Sequence, residues 1–191
     1  VTDKKLYQQK IEKQANNDFL TGLFNRMRCE QDLKMYIRTA KEQKTEGALL
    51  YIDLDDFKHI NDGLGHQYGD ILLKAISNSL RRIKGIEDSC YRMGGDEFAA
   101  IIFVNTRRLK RVQQEFDDVV RGWSGQLVKS VSISCGYVSS DEKDWESFDE
   151  MVKAADERMY ENKAAYYRQK GVDRRYHLSL IHISEPTRRR G

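Results

Sequence analysis

The sequence predicts an α+β fold in which a mostly antiparallel β-sheet carries helices on its faces. Short apolar runs typical of β-strands alternate with longer stretches whose apolar residues recur every three or four positions, as on one face of a helix. Their order is strand, helix, two strands joined by a glycine turn, helix, strand, which is the split βαβ arrangement of ferredoxin-like domains. With 191 residues, the chain is long enough for one such domain with its own core.

The helices are predicted from apolar spacing. Residues 3–16 are mostly polar, with Tyr7, Ile11 and Ala15 at i, i+4 spacing, which would form a thin apolar seam. This helix is either a connector from an upstream domain or a packed terminal helix. Asn25 is placed to cap a second helix. Further helices are expected over residues 69–82, around residues 109–123 and from residue 148 onwards.

The strands are predicted from short apolar runs bounded by turn residues. They cover residues 48–54, 89–93, 97–104 and 130–139, with a short edge strand at 174–177. In the strand SVSISCGYVS, alternation predicts that one set of side chains points into the core: Val131, Ile133, Cys135 and Tyr137.

The composition excludes several classes of protein. Charged residues make up 33% of the chain, and their signs nearly cancel. Residues 178–191 hold three arginines and one glutamate and account for +2 of the net charge of +3, which leaves no basic surface for nucleic acid elsewhere. No apolar run approaches the length of a membrane span, and no signal peptide is visible. The three cysteines form no CxxC pair and are expected to be buried free thiols in a reducing compartment.

Two acid clusters carry the functional prediction. In RMGGDEF, Gly94 and Gly95 allow a tight turn and the close approach of a ligand, and Asp96 and Glu97 follow directly. Adjacent carboxylates repel each other unless a cation lies beside them. A second cluster, DLDD, begins with Asp53 at the end of the strand ALLYIDL. Because a split βαβ sheet places that strand beside the hairpin, we expect the two clusters to converge on a metal ion. For the hairpin pair alone, a solvated acidic turn is the alternative.

RMGGDEF resembles the signature of the GGDEF family, the diguanylate cyclases. Further stretches are similar to motifs of that family in the same order: DFLTGLFNR (18–26), YIDLDDFKHINDGLGHQYGDILL (51–73), SISCGY (132–137) and ADERMYENK (155–163). The resemblance spans residues 18–177 and implies a palm-type cyclase fold. It also implies an enzyme that condenses two GTP into cyclic di-GMP with loss of two pyrophosphates, in a homodimer with one GTP per subunit.

The resemblance implies a metal site and a catalytic carboxylate. The carboxylates of Asp53 and Asp96 and the backbone carbonyl of Leu54 would hold Mg²⁺ or Mn²⁺ together with the triphosphate. Glu97 would orient or deprotonate the attacking 3′-hydroxyl, or would serve as a further metal ligand.

Nucleotide-binding residues are implied in the same way. Asn61 and Asp70 would bind guanine, whose N1–H and N2–H₂ donors match an acceptor-only aspartate, whereas adenine presents an acceptor at N1. Outside the motif, the two residues would be interpreted as a loop cap and a helix N-cap. Phe57 and Lys58, in the turn after the first strand, would bind the β- and γ-phosphates through backbone N–H groups and the lysine charge. Lys163 would be a second phosphate-binding cation.

The chain departs from the family pattern in two places. Where the family carries an RxxD product-inhibition motif, residues 85–88 read GIED, so weak or absent feedback inhibition by that route is expected. After Lys163, Arg168 is one position away from the phosphate-binding arginine of many members, which weakens the assignment of a phosphate contact there. Arg92, just before the glycine turn, is expected to pair with the hairpin acids.

Three functions fit the sequence to different degrees. The intact hairpin acids favour an active cyclase over a catalytically weak or inactive domain that binds GTP or mediates signalling interactions. A nucleic-acid polymerase palm would need a basic channel and additional subdomains. The implied partners are GTP, a second copy of the chain and an upstream sensor, with no nucleic acid and no membrane contact.

The expected domain organisation has three parts. Residues 1–17 are a possible connector helix from a sensor, residues 18–177 are the GGDEF domain, and residues 178–191 are an artefactual tail. LSLIHISEPTR in that tail resembles the in-frame translation of a sequencing-library adapter. The domain is expected in the cytoplasm, or on the cytoplasmic side of a membrane-anchored protein.

Overall fold

The computed structural model describes residues 2–43, 47–83, 89–103 and 131–169, together with residues 111, 114, 115 and 118. The elements in these ranges are α1 (Thr2–Asn16), β1 (Phe24–Asn25), α2 (Arg26–Gln43), β2 (Gly47–Leu54), α3 (Phe57–Leu64), α4 (His66–Leu80), β3 (Cys90–Gly94), β4 (Glu97–Phe103), β5 (Ile133–Ser139) and α5 (Phe148–Gln169).

The described strands form one sheet in the order β1-β3-β4-β2-β5. β1 runs parallel to β3, and all other neighbouring strands are antiparallel. This confirms the predicted α+β fold with a mostly antiparallel sheet. It also confirms that the strand ending in DLDD lies beside the glycine-turn hairpin, because β2 pairs directly with β4.

Both faces of the sheet are covered, and β2 supplies side chains to both. Leu50, Ile52 and Leu54 pack with residues of α3 and α4 on one face. Leu49 and Tyr51 pack with residues of α2 and α5 on the other. A central strand buried on both sides needs a continuous apolar run rather than an alternating one, which is the pattern seen in GALLYIDL.

β5 corrects one prediction. Its more buried residues are Ser134, Gly136 and Val138, whereas Ile133, Cys135 and Tyr137 are only half-buried against the α3/α4 face. The predicted side chains do pack against the core, but the opposite side is deeper because α5 packs closely on it: a Cβ added to Gly136 would lie 2.1 Å from the backbone oxygen of Ala155. Val131, before the strand, is buried as predicted.

The helices differ from prediction mainly after β2. The Asn25 cap is confirmed, since its Oδ1 accepts the backbone N–H of Arg28 at 3.0 Å. α4 begins at His66 rather than at residue 69, and α3 was not predicted. Phe57 and Lys58 therefore lie in the first turn of a helix instead of in an open turn. α3 has only eight residues, with Ile60 its one buried side chain among those described, so it shows too few apolar positions for a helical period.

The apolar seam of α1 is exposed. Tyr7 and Ile11 are 69% and 50% accessible, and the neighbouring Leu6 is 66% accessible. Across the parts of the chain that the structure describes, no helix has both the length and the apolar character needed to cross a membrane. Two predictions lie outside the described residues: the edge strand at 174–177 and the GIED stretch at 85–88. The helix predicted around residues 109–123 is described only at isolated positions.

Candidate active site

Sheet pairing brings the two acid clusters together. Asp53, the second-last residue of β2, lies directly opposite Glu97, the first residue of β4. The backbone N–H of Leu54 donates to the carbonyl oxygen of Asp96 at 3.3 Å. The structure thus places Asp53, Leu54, Asp96 and Glu97 at one end of two paired strands, where the sequence predicted them.

Lys163 reaches this cluster from α5. Its Nζ lies 3.0 Å from Oδ1 of Asp53 and 2.6 Å from Oδ1 of Asp55. Burial alone would lower the pKa of Lys163, but hydrogen bonds and charge from Asp55 and Asp53 outweigh it and raise that pKa. Lys163 was predicted as a phosphate-binding cation, and in this structure its ammonium group is paired with carboxylates.

Asp55 is a buried acid for which no individual role was predicted from the sequence. Besides Lys163, it accepts hydrogen bonds from the hydroxyls of Ser132 at 2.5 Å and Ser134 at 2.9 Å. Its own backbone N–H donates to the carbonyl of Ser132 at 3.0 Å. With both carboxylate oxygens bonded, Asp55 ties the end of β2 to β5 and holds Lys163 in place. The serines of SVSIS were the available signal for these hydrogen bonds. Which carboxylate they bond to depends on the register between β2 and β5, which the sequence does not show.

The donor set suits a hard divalent cation. Burial is the main cause of a raised pKa for Asp53; Lys163 opposes it, and the charges of Asp96 and Asp55 add to it. Among the residues described here, Asp53 is thus influenced by two further carboxylates and by one ammonium group, which leaves negative charge for a cation to neutralise. Two carboxylates and a carbonyl are oxygen ligands of the kind that Mg²⁺ prefers alongside phosphate oxygens. No group of three or more His, Cys, Asp or Glu side chains in the described ranges surrounds a single metal position.

Glu97 is held by a buried tyrosine. The hydroxyl of Tyr51 donates to Oε2 of Glu97 at 3.0 Å. Burial, followed by the charge and hydrogen bond of Glu97, raises the pKa of Tyr51, so the phenol stays protonated as a donor. No role for Tyr51 was predicted from the sequence; its position two residues before Asp53, on the same face of β2, was the available signal.

Asn61 carries an unpaired buried acceptor. Its Oδ1 is buried and has no hydrogen-bond partner among the described residues. It faces Gly69 on α4, where an added Cβ would lie 2.0 Å from that oxygen. Asp70 is the next residue and is exposed. The structure therefore places Asn61 of α3 against the residue that precedes Asp70 on α4. Neither predicted guanine-binding residue is the cap that was the alternative, because both lie within helices.

The start of α3 presents free backbone donors. The first N–H groups of a helix have no acceptor within it, and Phe57 and Lys58 occupy those positions. The preceding Asp56 adopts a left-handed conformation with φ 59°, which ends β2 and turns the chain into the helix. Lys58 is exposed, and Phe57 packs against the core. Such a helix start attracts anions.

Arg92 corrects a further prediction. It does not pair with the hairpin acids; its Nη1 contacts Asp18 at 3.0 Å, and its Nε and Nη2 donate to the carbonyl of Gly95 at 3.1 and 2.7 Å. Asp18 also accepts from the N–H and hydroxyl of Thr21. Burial would raise the pKa of Asp18, but the bonds from Thr21 and Arg92 lower it. Arg92 thus joins the glycine turn to the loop after α1.

Comparison with known proteins agrees with this geometry. A sequence model described as "Diguanylate cyclase, GGDEF domain" matches residues 15–169. Diguanylate cyclase VdcA from Vibrio cholerae is 32% identical over an alignment of 164 residues, and the match covers 81% of this chain and 46% of VdcA. The chain spans about half the length of the curated relatives it matches first.

Two solved structures illustrate the likeness in fold. The coiled coil and GGDEF domain of DgcB from Caulobacter crescentus, in complex with c-di-GMP, aligns with a TM-score of 0.75 at 24% identity and covers 86% of this chain and 88% of that one. The GGDEF domain of TpbB, also called YfiN, from Pseudomonas aeruginosa aligns with a TM-score of 0.68 at 32% identity, covering 78% and 89%. With the family match extending over most of the described residues, this chain belongs to the GGDEF-domain family.

Proposed function

We propose that this domain is a diguanylate cyclase that condenses two GTP into cyclic di-GMP and releases two pyrophosphates. The observation that carries the proposal is the buried Oδ1 of Asn61, which has no hydrogen-bond partner among the described residues and faces Gly69, the residue before Asp70. Buried acceptors without partners are rare and costly, so this oxygen is best explained by a ligand that donates to it. Guanine offers N1–H and N2–H₂ donors on one edge, which suit the Asn61 amide oxygen and the Asp70 carboxylate.

The neighbouring groups suit the rest of the nucleotide. The backbone donors at Phe57 and Lys58, with the Lys58 charge, would bind the β- and γ-phosphates. Asp53, Asp96 and the Leu54 carbonyl would hold Mg²⁺ or Mn²⁺, which when bound supplies a positive charge that polarises the α-phosphate. Lys163 is proposed as a further phosphate-binding cation, since its Nζ lies beside these acids.

Glu97 is the proposed catalytic carboxylate. It lies opposite Asp53 and would orient or deprotonate the attacking 3′-hydroxyl, or would serve as a further metal ligand.

One GTP cannot form both phosphodiester bonds of the product, so we propose that two copies of the chain face each other during turnover. The exposed Tyr7 and Ile11 of α1 are available for contact with a second copy or with an upstream sensor. Because GTP is a cytoplasmic nucleotide, the domain would work in that compartment.

One observation favours a second candidate, a GTP-binding domain with little or no turnover. Lys163 is ion-paired with Asp53, the carboxylate proposed as a metal ligand, and the two side chains are 17% and 20% exposed. An ammonium group at that position competes with a divalent cation for the same oxygen. If the ammonium group stays there, the domain would bind the nucleotide but activate it poorly.

The test is turnover of GTP with Mg²⁺ at high protein concentration, with products separated by chromatography. The parent should yield cyclic di-GMP, and Glu97→Gln should yield none while still binding GTP. Parallel reactions with ATP examine the Asn61/Asp70 assignment, which predicts no adenine product. GTP binding without product, even when the chain is dimerised artificially, would refute the cyclase and support the second candidate.

A further inference from the structure

We propose that Tyr51 is a positioning residue that fixes the orientation of the Glu97 carboxylate through its hydroxyl; the inference rests on the proposed function for the role of Glu97. Tyr51 lies within β2 and does not itself reach the nucleotide in this proposal. It acts by holding the side chain of Glu97, the first residue of the neighbouring strand β4.

Sheet register explains how the two side chains meet. In the β2–β4 pair, Tyr51 is opposite Ala99 and Asp53 is opposite Glu97. Alternate residues of a strand share a face, so Tyr51 and Glu97 are diagonal neighbours on one face of the sheet. Ala99 carries only a methyl group, which leaves room for the tyrosine ring to extend towards the hairpin tip. The hydroxyl then meets Oε2 of Glu97 at 3.0 Å.

The buried environment of Tyr51 means that this hydrogen bond restricts the orientation of the Glu97 carboxylate. The residue is only 3% exposed and packs in the core between the sheet and helices α2 and α5. A hydroxyl in such a place needs an acceptor, and Glu97 supplies it. If the glutamate turned away, the phenol would lose that acceptor inside the core. The bond therefore selects one orientation of a side chain that has several rotatable bonds.

In this arrangement the two oxygens of the Glu97 carboxylate have different roles. Oε2 is engaged by Tyr51, which leaves Oε1 to face a reacting hydroxyl or a metal ion. A group that must meet a reacting atom works best when its orientation is set before the substrate arrives. Removing the tyrosine hydroxyl should then impair the chemical step while leaving the guanine and phosphate contacts intact.

A second buried tyrosine provides a matched control. Tyr91 lies on the same face of the sheet, is fully buried, and donates to Oδ2 of Asp32 at 2.9 Å. Asp32 is independently held by Arg28, whose Nε lies 2.9 Å from both of its oxygens. Tyr91→Phe thus also removes one buried hydroxyl-to-carboxylate bond, but at a pair that has no role in the proposed site.

The experiment compares Tyr51→Phe and Tyr91→Phe in the full chain, by steady-state kinetics with GTP and by thermal unfolding. We expect Tyr51→Phe to lower kcat about tenfold with little change in KM, which is the signature of an interaction needed only for the chemical step. Tyr91→Phe should change kcat by less than about twofold. Both variants should unfold at similar temperatures, so a general loss of stability would not produce the difference. Equal kcat for Tyr51→Phe and the parent would overturn the inference.

Crystal structures of the parent and of Tyr51→Phe test whether Tyr51 orients Glu97 without a measurement of turnover. The parent should show Oε2 of Glu97 within hydrogen-bond distance of the tyrosine hydroxyl, and the variant should show the carboxylate rotated or in several orientations. An unchanged Glu97 in the variant would overturn the inference even if the parent is active. A parent that makes no cyclic di-GMP would refute the proposed function instead, and the crystallographic comparison would still decide the role of Tyr51.

Discussion

At the level of single residues, the absence of a side chain at Gly69 shapes the candidate guanine site. We expect Gly69→Ala to displace the Asn61 amide, because the added Cβ would lie 2.0 Å from Oδ1 and 3.1 Å from the Phe57 ring. The KM for GTP should rise about tenfold, the cost of one hydrogen bond to a nucleobase. Alanine is favoured over glycine inside a helix by about 1 kcal/mol, so α4 itself should persist.

Gly47→Ala is the control for this substitution. A Cβ at Gly47 would lie 3.7 Å from the Ser140 hydroxyl, which is ordinary van der Waals contact. Its KM for GTP should equal that of the parent. Unchanged GTP affinity in Gly69→Ala would show that Asn61 does not bind the base.

Lys163 gives a second prediction at this level. Lys163→Met should lower the free energy of unfolding by about 3 kcal/mol, because the buried Asp55 loses its counter-ion. If the acid cluster binds metal, millimolar Mg²⁺ should restore part of this loss and stabilise the variant more than the parent. Urea unfolding with and without MgCl₂ measures both effects.

Lys153→Met on the same helix is the matched control, because Lys153 is 78% exposed and its nearest acid lies 3.9 Å away. It should leave stability almost unchanged in either buffer. A variant at Lys163 that is destabilised but does not respond to Mg²⁺ would argue against a metal at Asp53.

At the level of elements, the loop after α1 and the hairpin are joined by the Asp18–Arg92 pair. Asp18→Asn should lower stability at pH 7 by about 1 kcal/mol, since the Arg92 contact loses its charge. The pKa of Asp18 is depressed in the folded chain, so its stabilising effect is present above the ordinary value of 3.8 and is lost as pH falls through the lower folded value. The difference between parent and variant should therefore shrink below about pH 4.

Asp149→Asn is the control, since Asp149 also pairs with an arginine, Arg26, but is 80% exposed. Denaturant unfolding from pH 7 to pH 2.5 should show little difference from the parent throughout. A constant Asp18→Asn deficit across that range would contradict the ionised Asp18–Arg92 contact.

The elements that the sequence predicted well are those with a strong local pattern. The run ALLYIDL and the glycine turn of RMGGDEF identify β2 and the hairpin, and the split βαβ order then places Asp53 beside Glu97. α3 was missed because one buried residue cannot display a helical period. The deeper burial of the second face of β5 was missed because only the approach of α5 decides it.

The site contacts that sequence could not supply depend on register and on distant elements. Asp55 meets Ser132 and Ser134 only because β2 and β5 pair antiparallel with that register. Tyr51 meets Glu97 across another strand pair, and Asp18 meets Arg92 over 74 residues of chain. Residue type and spacing identify such groups as polar, but the identity of the partner is a property of the folded sheet.

For the whole molecule, the proposed reaction requires two copies of the chain. Specific activity at saturating GTP should therefore rise with protein concentration and level off once the dimer predominates. Product formation measured over a hundredfold range of protein concentration, alongside sedimentation, provides the check. A specific activity that stays constant while the protein sediments as a monomer would contradict turnover between two copies.

The close packing of α5 on β5 has a consequence for how the chain tolerates change. A side chain at Gly136 would meet the backbone of α5, 2.1 Å from the Ala155 oxygen and 2.4 Å from the Met159 nitrogen, and neither atom can rotate away. Every substitution there must shift the helix that carries Lys163. In a saturation-mutagenesis library selected for nucleotide turnover, Gly136 would score as intolerant as Asp53, and only a parallel selection for protein abundance would separate the glycine that positions α5 from the carboxylate proposed to hold the metal.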